Sequence, residues 1–183
     1  MSEIPIFKFA IREDLKNNQL FAPTKGEPLA TGWDVRAAFP DKKTLTITPF
    51  EYIKIPLGLR AFCPEGWWYE LKPRSSSFAK KSLHALYGTV DETYENELIF
   101  ACQYIPYMEF ETDVIDDHRD IIRAKTYSLA PNLYIDFGDA IGQIIPVKRQ
   151  HMGVEVVSNE EYDRLCKERN AQRGTGGFGS TGK

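Results

Sequence analysis

The sequence predicts an all-β protein, a sandwich or barrel, and three observations lead to this fold class. Apolar and polar residues alternate along several short segments that are rich in β-branched and aromatic side chains. Glycine and proline separate these segments at short intervals. Helical spacing of apolar residues is evident in one segment, near the C-terminal end. Many short strands between turn residues are typical of β-sandwiches and barrels.

Four segments carry the strand pattern. Their alternating or β-branched and aromatic side chains favour extended backbone. The last segment contains a turn and is predicted to form two strands about it. In chain order the segments are residues 45–62, 67–72, 96–105 and 133–147.

A single helix is predicted after these strands. Ser158 and Glu161 have the spacing of a capping box, in which the two side chains satisfy backbone N–H groups at the start of a helix. Tyr162, Leu165 and Cys166 then fall on one helical face. We expect this short helix to lead the chain towards its C-terminal tail.

The tail, residues 173–183, reads RGTGGFGSTGK and is predicted to be flexible. Many of the chain's 13 glycines fall in it, and glycine loses more backbone entropy on ordering than any other residue. Residues 1–172 are therefore predicted to form one β domain that precedes the tail. The tail also carries an arginine, a phenylalanine and a Ser-Thr pair, which suit phosphates and an aromatic base. A frayed end and a functional lid are both open at this point.

Composition narrows the function classes. A chain of 183 residues with 42% hydrophobic and 27% charged residues suits one folded domain, and its apolar runs are too short to span a bilayer. A net charge of −3 argues against a nucleic-acid polymer as partner. The first residues lack the pattern of a signal peptide, so we expect a cytoplasmic protein with no membrane association. Its three cysteines, Cys63, Cys102 and Cys166, are expected to be reduced and mostly buried.

An acidic segment at residues 109–120 is predicted to be an exposed loop or an insertion, because it lies between two strand-like stretches. Its side chains Asp113, Asp116, Asp117 and His118 suit a metal ion, but they suit a solvated charged loop as well.

Two polar stretches suggest chemistry. In residues 72–81, Arg74 offers a planar fork of donors for phosphate oxygens, and Ser75 lies beside it. In residues 88–97, Asp91 precedes Tyr94 by three positions, an offset that lets both approach one ligand if they lie at a hairpin tip. Each stretch also has an ordinary structural interpretation, as a basic turn and as an acidic hairpin.

Two further polar residues stand in apolar surroundings. Asp34 lies in TGWDVRA, and Gln143 follows a tight turn in GDAIGQIIP. Buried Asp and Gln side chains often satisfy backbone groups, so neither residue alone identifies a function.

Taken in order, five segments resemble the five motifs of the homotrimeric dUTP pyrophosphatase (dUTPase) family. The tail and the GTVDETY core are the most specific of them, and the resemblance covers residues 31–182. The segments read TGWDVRA, PRSSSFAKK, GTVDETYENE, GDAIGQ and RGTGGFGSTG.

The resemblance implies a jelly-roll-like β-clip protomer, three of which form active sites at their subunit interfaces. Each site would hydrolyse dUTP to dUMP and pyrophosphate with Mg²⁺, which limits uracil in DNA and supplies dUMP for thymidylate synthesis. Asp34 would hold the metal through water. Asp91 would deprotonate the attacking water, and Tyr94 would lie against the deoxyribose and exclude a 2′-hydroxyl.

The remaining site residues also follow from the resemblance. The hairpin around Gly88 and Val90 would read uracil through its backbone. In the tail, Phe178 would stack on uracil beside Gly179. Phosphates would be held by the side chains of Arg74, Ser75, Ser76, Gln143, Arg173, Ser180 and Thr181.

The sequence departs from the family pattern around the predicted base pocket. Asn96 and Ser76 stand where glycine is common, and Ala140 stands where arginine is frequent. Leu86 and Tyr87 are bulkier than usual before the uracil-reading turn. Residues 103–132 are longer than in the simplest members of the family and are predicted to be an insertion.

Two alternatives accompany the dUTPase hypothesis. A dCTP deaminase, or its bifunctional relative, shares the fold but needs a carboxylate on the strand after the third motif, where this chain reads LIFACQYI. A regulatory protein that uses the nucleotide as a switch would use the 103–132 insertion to dock a partner protein.

Overall fold

The computed structural model describes residues 4–106, 108–115, 118, 121–128 and 131–169. It consists mainly of short antiparallel strands, which confirms the predicted all-β class. The strands are β1 (Lys8–Ile11), β2 (Trp33–Arg36), β3 (Leu45–Ile47), β4 (Tyr52–Pro56), β5 (Leu59–Phe62), β6 (Trp67–Pro73), β7 (Leu83–Ala85), β8 (Gly88–Val90), β9 (Ile99–Tyr104), β10 (Met108–Ile115), β11 (Ile121–Ser128), β12 (Leu133–Ile135) and β13 (Ala140–Lys148).

The helices are few and short. Two single 3-10 turns, Glu13–Leu15 and Gln19–Phe21, lie between β1 and β2. Helix α1 (Ser75–Ala79) follows β6, and helix α2 (Asn159–Arg169) lies near the C-terminal end of the described chain. Within the described residues, no helix is both long enough and apolar enough to cross a membrane.

Contacts divide the chain into two compact units, Met1–Arg149 and Gln150–Lys183. The first unit contains all thirteen strands. The second contains α2. The predicted boundary at residue 172 lies outside the described residues and stays a prediction.

The strands of the first unit form a four-stranded sheet, a three-stranded sheet and three two-stranded ones. The four-stranded sheet has the order β2-β13-β6-β8, and the three-stranded sheet has the order β4-β9-β7. The two-stranded sheets are β1-β5, β3-β12 and β10-β11. Consecutive strands often lie in different sheets, so the chain crosses repeatedly from one sheet to another, as in a jelly roll.

One hydrophobic core lies between the sheets, and strand alternation builds it. In β4, Ile53 and Ile55 are buried and their neighbours exposed, and in β9 the buried positions include Phe100 and Cys102. These side chains belong to the same buried cluster as Ile144 of β13. A period of two thus gives each sheet one apolar face for the core.

In the second unit, α2 begins as the sequence predicts. The Ser158 hydroxyl accepts a hydrogen bond from the Glu161 backbone N–H at 3.2 Å, which confirms the serine half of the predicted cap. Tyr162 and Cys166 lie one turn apart, and their hydrogen bond raises the pKa of the Tyr162 phenol. All three cysteines are free; Cys63 and Cys102 are buried and Cys166 is exposed.

The acidic segment at 109–120 was predicted to be an exposed loop or an insertion; its residues 109–115 do not form a loop, and the insertion stays a prediction. Residues 109–115 belong to β10, which pairs along its whole length with β11. The register places Glu111 opposite Lys125 and Asp113 opposite Arg123 along the two strands. The extended pairing depends on the partner strand, which counting acidic residues alone does not reveal. Asp116 and Asp117 lie outside the described residues.

Candidate active site

Strand register brings three polar residues into one row. Asp34 of β2 lies opposite Gln143 of β13, and Gln143 lies opposite Lys72 of β6. Directly opposed residues point to the same side of a sheet. Their neighbours Leu71 and Ile144 are buried in the core, so the row lies on the outer face. Sequence analysis predicted Asp34 and Gln143 as site residues, for the metal and the phosphates, but it did not place Lys72 beside them.

Two glycines make room for Gln143. A Cβ at Gly32 would lie 3.1 Å from the Gln143 Oε1 atom. A Cβ at Gly142 would lie 3.0 Å from a ring carbon of buried Phe100 and 3.2 Å from the Lys72 carbonyl oxygen. Gly142 therefore lets the core pack closely beneath the strand that presents Gln143.

Arg74 joins this row from the end of β6. Its Nε atom lies 3.3 Å from the Asp34 Oδ1 atom, and only 15% of the Asp34 side chain is exposed. This ion pair neutralises the carboxylate that was predicted to hold a metal through water. Within the described residues no cluster of three or more His, Cys, Asp or Glu side chains could hold a metal ion.

Helix α1 holds the serines of the second motif. Ser77 is buried, and its hydroxyl donates a hydrogen bond of 2.7 Å to the Ile141 carbonyl of β13. The Arg74 backbone N–H donates to the same carbonyl at 3.3 Å. Ser75 is left exposed beside Arg74, and Ser76 is half-buried. The sequence alone did not indicate that Ser77, the third of the three serines, is the one bonded to β13.

A turn before β13 completes this part of the site. Gly138 has φ +92°, a conformation that favours glycine, and its carbonyl accepts a 2.9 Å bond from the Arg36 guanidinium. Lys81, just after α1, donates a 2.5 Å bond to the Asp139 carboxylate. The second and fourth motifs are thus joined, while Ala140 lies half-buried at the first position of β13.

The third motif is not the predicted hairpin tip. β8 pairs with β6, whereas β7, the preceding strand, pairs with β9 in a different sheet. The chain turns between sheets at Leu86 and Tyr87, and both side chains point into solvent. β8 is an edge strand of the described sheet, so one side of its backbone is not paired with another described strand, and the Gly88 N–H donates instead to the Leu86 carbonyl at 2.9 Å.

Asp91 and Tyr94 adjoin a narrow cavity at that edge. The Tyr94 backbone N–H donates to the Asp91 carbonyl at 3.1 Å, which forms a turn directly after β8. Asp91 is exposed, and Tyr94 is 38% exposed. The cavity has a volume of about 160 Å³ and is lined by Leu71, Thr89, Val90, Asp91, Tyr94, Leu98 and Ile99.

Two carboxylates anchor the loop that carries these residues. Glu92 accepts a hydrogen bond from the Arg149 guanidinium at 2.6 Å and from the Gly66 backbone N–H at 3.2 Å. Glu97 accepts from the Gly58 backbone N–H at 2.8 Å and from Arg12 at 3.1 Å. Sequence analysis missed both roles, because in DETYENE the glutamates look like ordinary charges of an exposed turn.

A second, larger cavity of about 550 Å³ lies against the same loop. Glu92, Thr93, Tyr94 and Glu95 form one side of it, and residues of β1 and β5 form the other. Cys63 also lines this cavity, and burial, together with the charge of Glu92, raises the pKa of its thiol to about 11.

The two halves of the site are separated within one chain. Val90 lies opposite Tyr69 on β6, and Gln143 lies opposite Lys72, three residues further along the same strand. Two strand spacings and three residue rises put Val90 and Gln143 roughly 14 Å apart. In addition, Gln143 lies on the outer face, whereas Val90 packs towards the core. Within one chain, the sheet edge that leads into Asp91 is therefore separated from the row of Asp34, Gln143 and Lys72.

The predicted tail residues Arg173, Phe178, Gly179, Ser180 and Thr181 lie outside the described residues. Asn96 is exposed in the loop after β8.

Fold and site together define an all-β, jelly-roll protein with a row of polar and charged side chains on one sheet face and a carboxylate beside a narrow cavity at the sheet edge. No family model matches the sequence. Individual proteins do match. Deoxyuridine 5′-triphosphate nucleotidohydrolase of Fusobacterium nucleatum is 31% identical over 156 residues, which cover 84% of each chain. The enzyme of the same name from Maricaulis maris is 28% identical over 165 residues, covering 89% of this chain and 88% of that one.

Solved structures agree on the fold. The dUTPase of Staphylococcus bacteriophage 80alpha with dUPNHPP has a TM-score of 0.70 at 20% identity, and covers 97% of this chain and 99% of its own. The dUTPase of phage phi11 of S. aureus, which carries a species-specific insert, has a TM-score of 0.63 at 19% identity, covering 84% and 97%. The chain belongs to the deoxyuridine 5′-triphosphate nucleotidohydrolase, or dUTPase, family.

Proposed function

We propose that this protein hydrolyses dUTP to dUMP and pyrophosphate, and so limits uracil in DNA and supplies dUMP for thymidylate synthesis. The observation that carries the proposal is Asp91, an exposed carboxylate at the mouth of the 160 Å³ cavity, in a chain of the dUTPase family. A carboxylate in this position is available to accept a proton from an attacking water.

The narrow cavity suits the base and sugar alone. Small-molecule pockets commonly measure about 300–1,000 Å³, so a cavity of about 160 Å³ holds only part of a nucleotide. Its apolar lining, Leu71, Leu98 and Ile99, suits a flat ring, and the free backbone groups of β8 supply hydrogen bonds to uracil. The Tyr94 ring then packs against the deoxyribose, where it leaves no room for a 2′-hydroxyl.

The outer-face row suits the triphosphate. Arg74 offers charge-assisted hydrogen bonds to phosphate oxygens, and Ser75, Ser76 and Gln143 add neutral donors. Arg74 is held towards this face by Asp34, so the guanidinium is positioned before substrate arrives.

Mg²⁺ fits the site as a cation that enters with the substrate. Its ligands would be phosphate oxygens and water, since the row contains one acid, Asp34, and that carboxylate is paired with Arg74. When bound, the ion neutralises charge on the phosphates. Asp34 would contact it through water.

A complete site requires more than one copy of the chain. Val90, the neighbour of Asp91, and Gln143 lie roughly 14 Å apart within one chain, so we expect the base-binding edge of one copy to meet the phosphate row of another. We infer a homotrimer, the symmetric closed ring that gives three such sites. We place the enzyme in the cytoplasm on the sequence argument.

The tail, residues 173–183, is proposed as the lid. Phe178 would stack on uracil beside Gly179, and Arg173, Ser180 and Thr181 would contact the phosphates. Base stacking on an aromatic ring contributes about 1–3 kcal/mol, so removal of the tail should weaken dUTP binding.

A second, regulatory role has one specific observation in its favour. The acidic hairpin β10-β11 pairs with no other strand in the described chain, so it stands as a separate surface. Phage dUTPases with the same fold control transfer of virulence genes by a proto-oncogenic G protein-like mechanism. We propose that residues 103–132 are an insertion that docks a partner protein. Replacing residues 108–128 with a short turn should abolish that docking and leave dUTP hydrolysis intact.

The deciding experiment is release of pyrophosphate by the purified protein from dUTP, dCTP, dTTP and UTP, each with Mg²⁺. We expect turnover of dUTP alone. Turnover of dCTP with release of ammonia would instead establish the deaminase alternative, for which β9 offers no carboxylate. Absence of any turnover would leave the nucleotide-switched regulatory role.

A further inference from the structure

The loop at residues 91–97 lacks the packing that usually fixes an active-site residue. Five of its seven residues are exposed, and the other two, Glu92 and Glu97, are half-buried. Four of its residues, Glu92, Thr93, Tyr94 and Glu95, line the 550 Å³ cavity. A loop with few buried contacts is free to move unless polar contacts restrain it.

The two half-buried residues are also the two that bind the rest of the fold. Glu92 reaches Arg149, which follows β13, and the turn at Gly66 before β6. The Arg149 backbone N–H donates to the Gly66 carbonyl at 2.8 Å, so these three residues close one network. Glu97 reaches Gly58, before β5, and Arg12, which also donates to the Ala38 carbonyl at 3.0 Å.

Each glutamate lies next to one of the two functional side chains. Glu92 directly follows Asp91 in the chain. Glu97 is linked to Tyr94, because the Tyr94 hydroxyl donates to the Glu97 carbonyl at 3.2 Å. Fixing the Glu92 carboxylate therefore fixes the backbone that presents Asp91, and fixing Glu97 fixes the partner of the Tyr94 ring.

We propose that two ion pairs, Glu92–Arg149 and Glu97–Arg12, hold the two ends of the 91–97 loop, and that their members are positioning residues. The first pair positions Asp91 for the attack of water. The second pair positions Tyr94 against the sugar. The inference rests on the proposed dUTP hydrolysis. Neither glutamate lines the narrow cavity proposed for the base and sugar.

The two pairs have different kinetic consequences. Misplacing a catalytic group by about 1 Å costs up to about 100-fold in rate. Loss of the Glu92–Arg149 contact should therefore lower kcat, while the apolar lining of the base cavity outside the loop, Leu71, Val90, Leu98 and Ile99, keeps KM within about threefold. Loss of the Glu97–Arg12 contact should act on the sugar contact and raise KM more than it lowers kcat.

The test uses Glu92→Gln and Glu97→Gln, with Glu95→Gln as the matched control. Glutamine keeps an oxygen for the Gly66 or Gly58 N–H but removes the charge that holds the arginine. Glu95 is an exposed glutamate in the same loop and makes no side-chain hydrogen bond to the described part of the chain. We expect a 10- to 100-fold lower kcat for Glu92→Gln, a raised KM for Glu97→Gln, and wild-type values for Glu95→Gln.

Charge exchange tests the pair directly. Glu92→Arg should lose most of its kcat, and adding Arg149→Glu should restore at least a tenth of the wild-type value. If Glu92→Gln keeps its kcat, or if kcat falls only in proportion to the unfolded fraction in a thermal melt, the proposal is overturned.

Hydrogen exchange separates this proposal from the proposed function. In Glu92→Gln, the amides of residues 91–97 should exchange at least tenfold faster than in the wild type, while those of β13 stay unchanged. Faster exchange supports the positioning role of Glu92 even if the wild-type protein fails to hydrolyse dUTP. Unchanged exchange of the loop overturns that role even if the wild-type protein is active.

Discussion

The 91–97 loop and the row of polar side chains proposed to bind the phosphates are held in place by different physical means. The row rests on sheet register: Asp34, Gln143 and Lys72 lie on paired strands, and Ser77 is buried against β13. The loop lies over a cavity and is tied at its ends by carboxylates that are partly open to solvent. The row is thus built into the sheet, whereas Asp91, the proposed general base, lies on a segment that electrostatic contacts position.

This contrast predicts different consequences of substitution. Changes in the loop should act on rate and leave stability almost untouched, because the loop contributes little buried area. Changes under the row should act on stability, because they disturb packed strands. The following experiments test that division.

The largest effect is expected in the loop, from Asp91→Asn. A general base contributes about 10²–10⁴-fold to rate and little to ground-state affinity. The variant should therefore lose turnover by that factor, keep its affinity for a non-hydrolysable dUTP analogue and unfold at the wild-type urea concentration. Turnover by steady-state pyrophosphate release and affinity by calorimetry check this. An active Asp91→Asn enzyme would mean that another group handles the water.

Under the row, Gly142→Val should cost stability. The new Cβ would lie 3.0 Å from buried Phe100 and 3.2 Å from the Lys72 carbonyl, and overpacking of this kind costs about 1–3 kcal/mol. Because Gln143 follows Gly142 directly, dUTP affinity should also fall. Urea unfolding measures the first effect.

Gly26→Val is the matched control, since nothing lies within 4 Å of a Cβ at Gly26. Equal stabilities of the two valine variants would show that β13 tolerates displacement and that the row is not rigid.

A smaller effect is expected from Ser77→Ala. The Ser77 hydroxyl donates to the Ile141 carbonyl, but the Arg74 N–H donates to that carbonyl as well, so the acceptor is not left unpaired. The loss should therefore stay near the net value of one hydrogen bond, about 1 kcal/mol. Ser75→Ala should show the opposite behaviour: unchanged stability and a higher KM, because Ser75 is exposed beside Arg74. If Ser75→Ala instead lost stability and Ser77→Ala raised KM, the roles assigned to the two serines would be exchanged.

Sequence reasoning reached the polar pattern of the site and missed its mechanics. Asp34 and Gln143 stand out because they interrupt apolar strands, and β13 and α2 carry clear periodicity. Short α1 has no such signal, because five residues give too few turns for a helical pattern. The partner of β8 is a tertiary choice between sheets, so local sequence predicted a hairpin that does not form. Glu92 and Glu97 act through Arg149 and Arg12, which are 57 and 85 residues away, and spacing rules do not reach that far.

The smallest expected effect is a difference in the rates at which the cysteines react with a thiol reagent. Brief labelling should leave activity unchanged. Cys63 lines the cavity beneath the loop, whereas Cys102 is packed in β9. Burial, with the Glu92 charge as a lesser cause, raises the pKa of Cys63 to about 11, and burial raises that of Cys102 to about 12. Both thiols are therefore protonated in the folded protein at neutral pH, and since the thiolate is the reactive form, each should react slowly until opening of the structure exposes it.

Local opening of the loop should distinguish the two thiols. Exposed Cys166 should react first, then Cys63 through loop motion, and Cys102 only at the rate of global unfolding. Mass spectrometry of iodoacetamide adducts at pH 8 resolves this order. If Cys63 and Cys102 react at the same rate, the loop opens no more readily than the sheet. The electrostatically held loop and the packed row would then not differ in local stability.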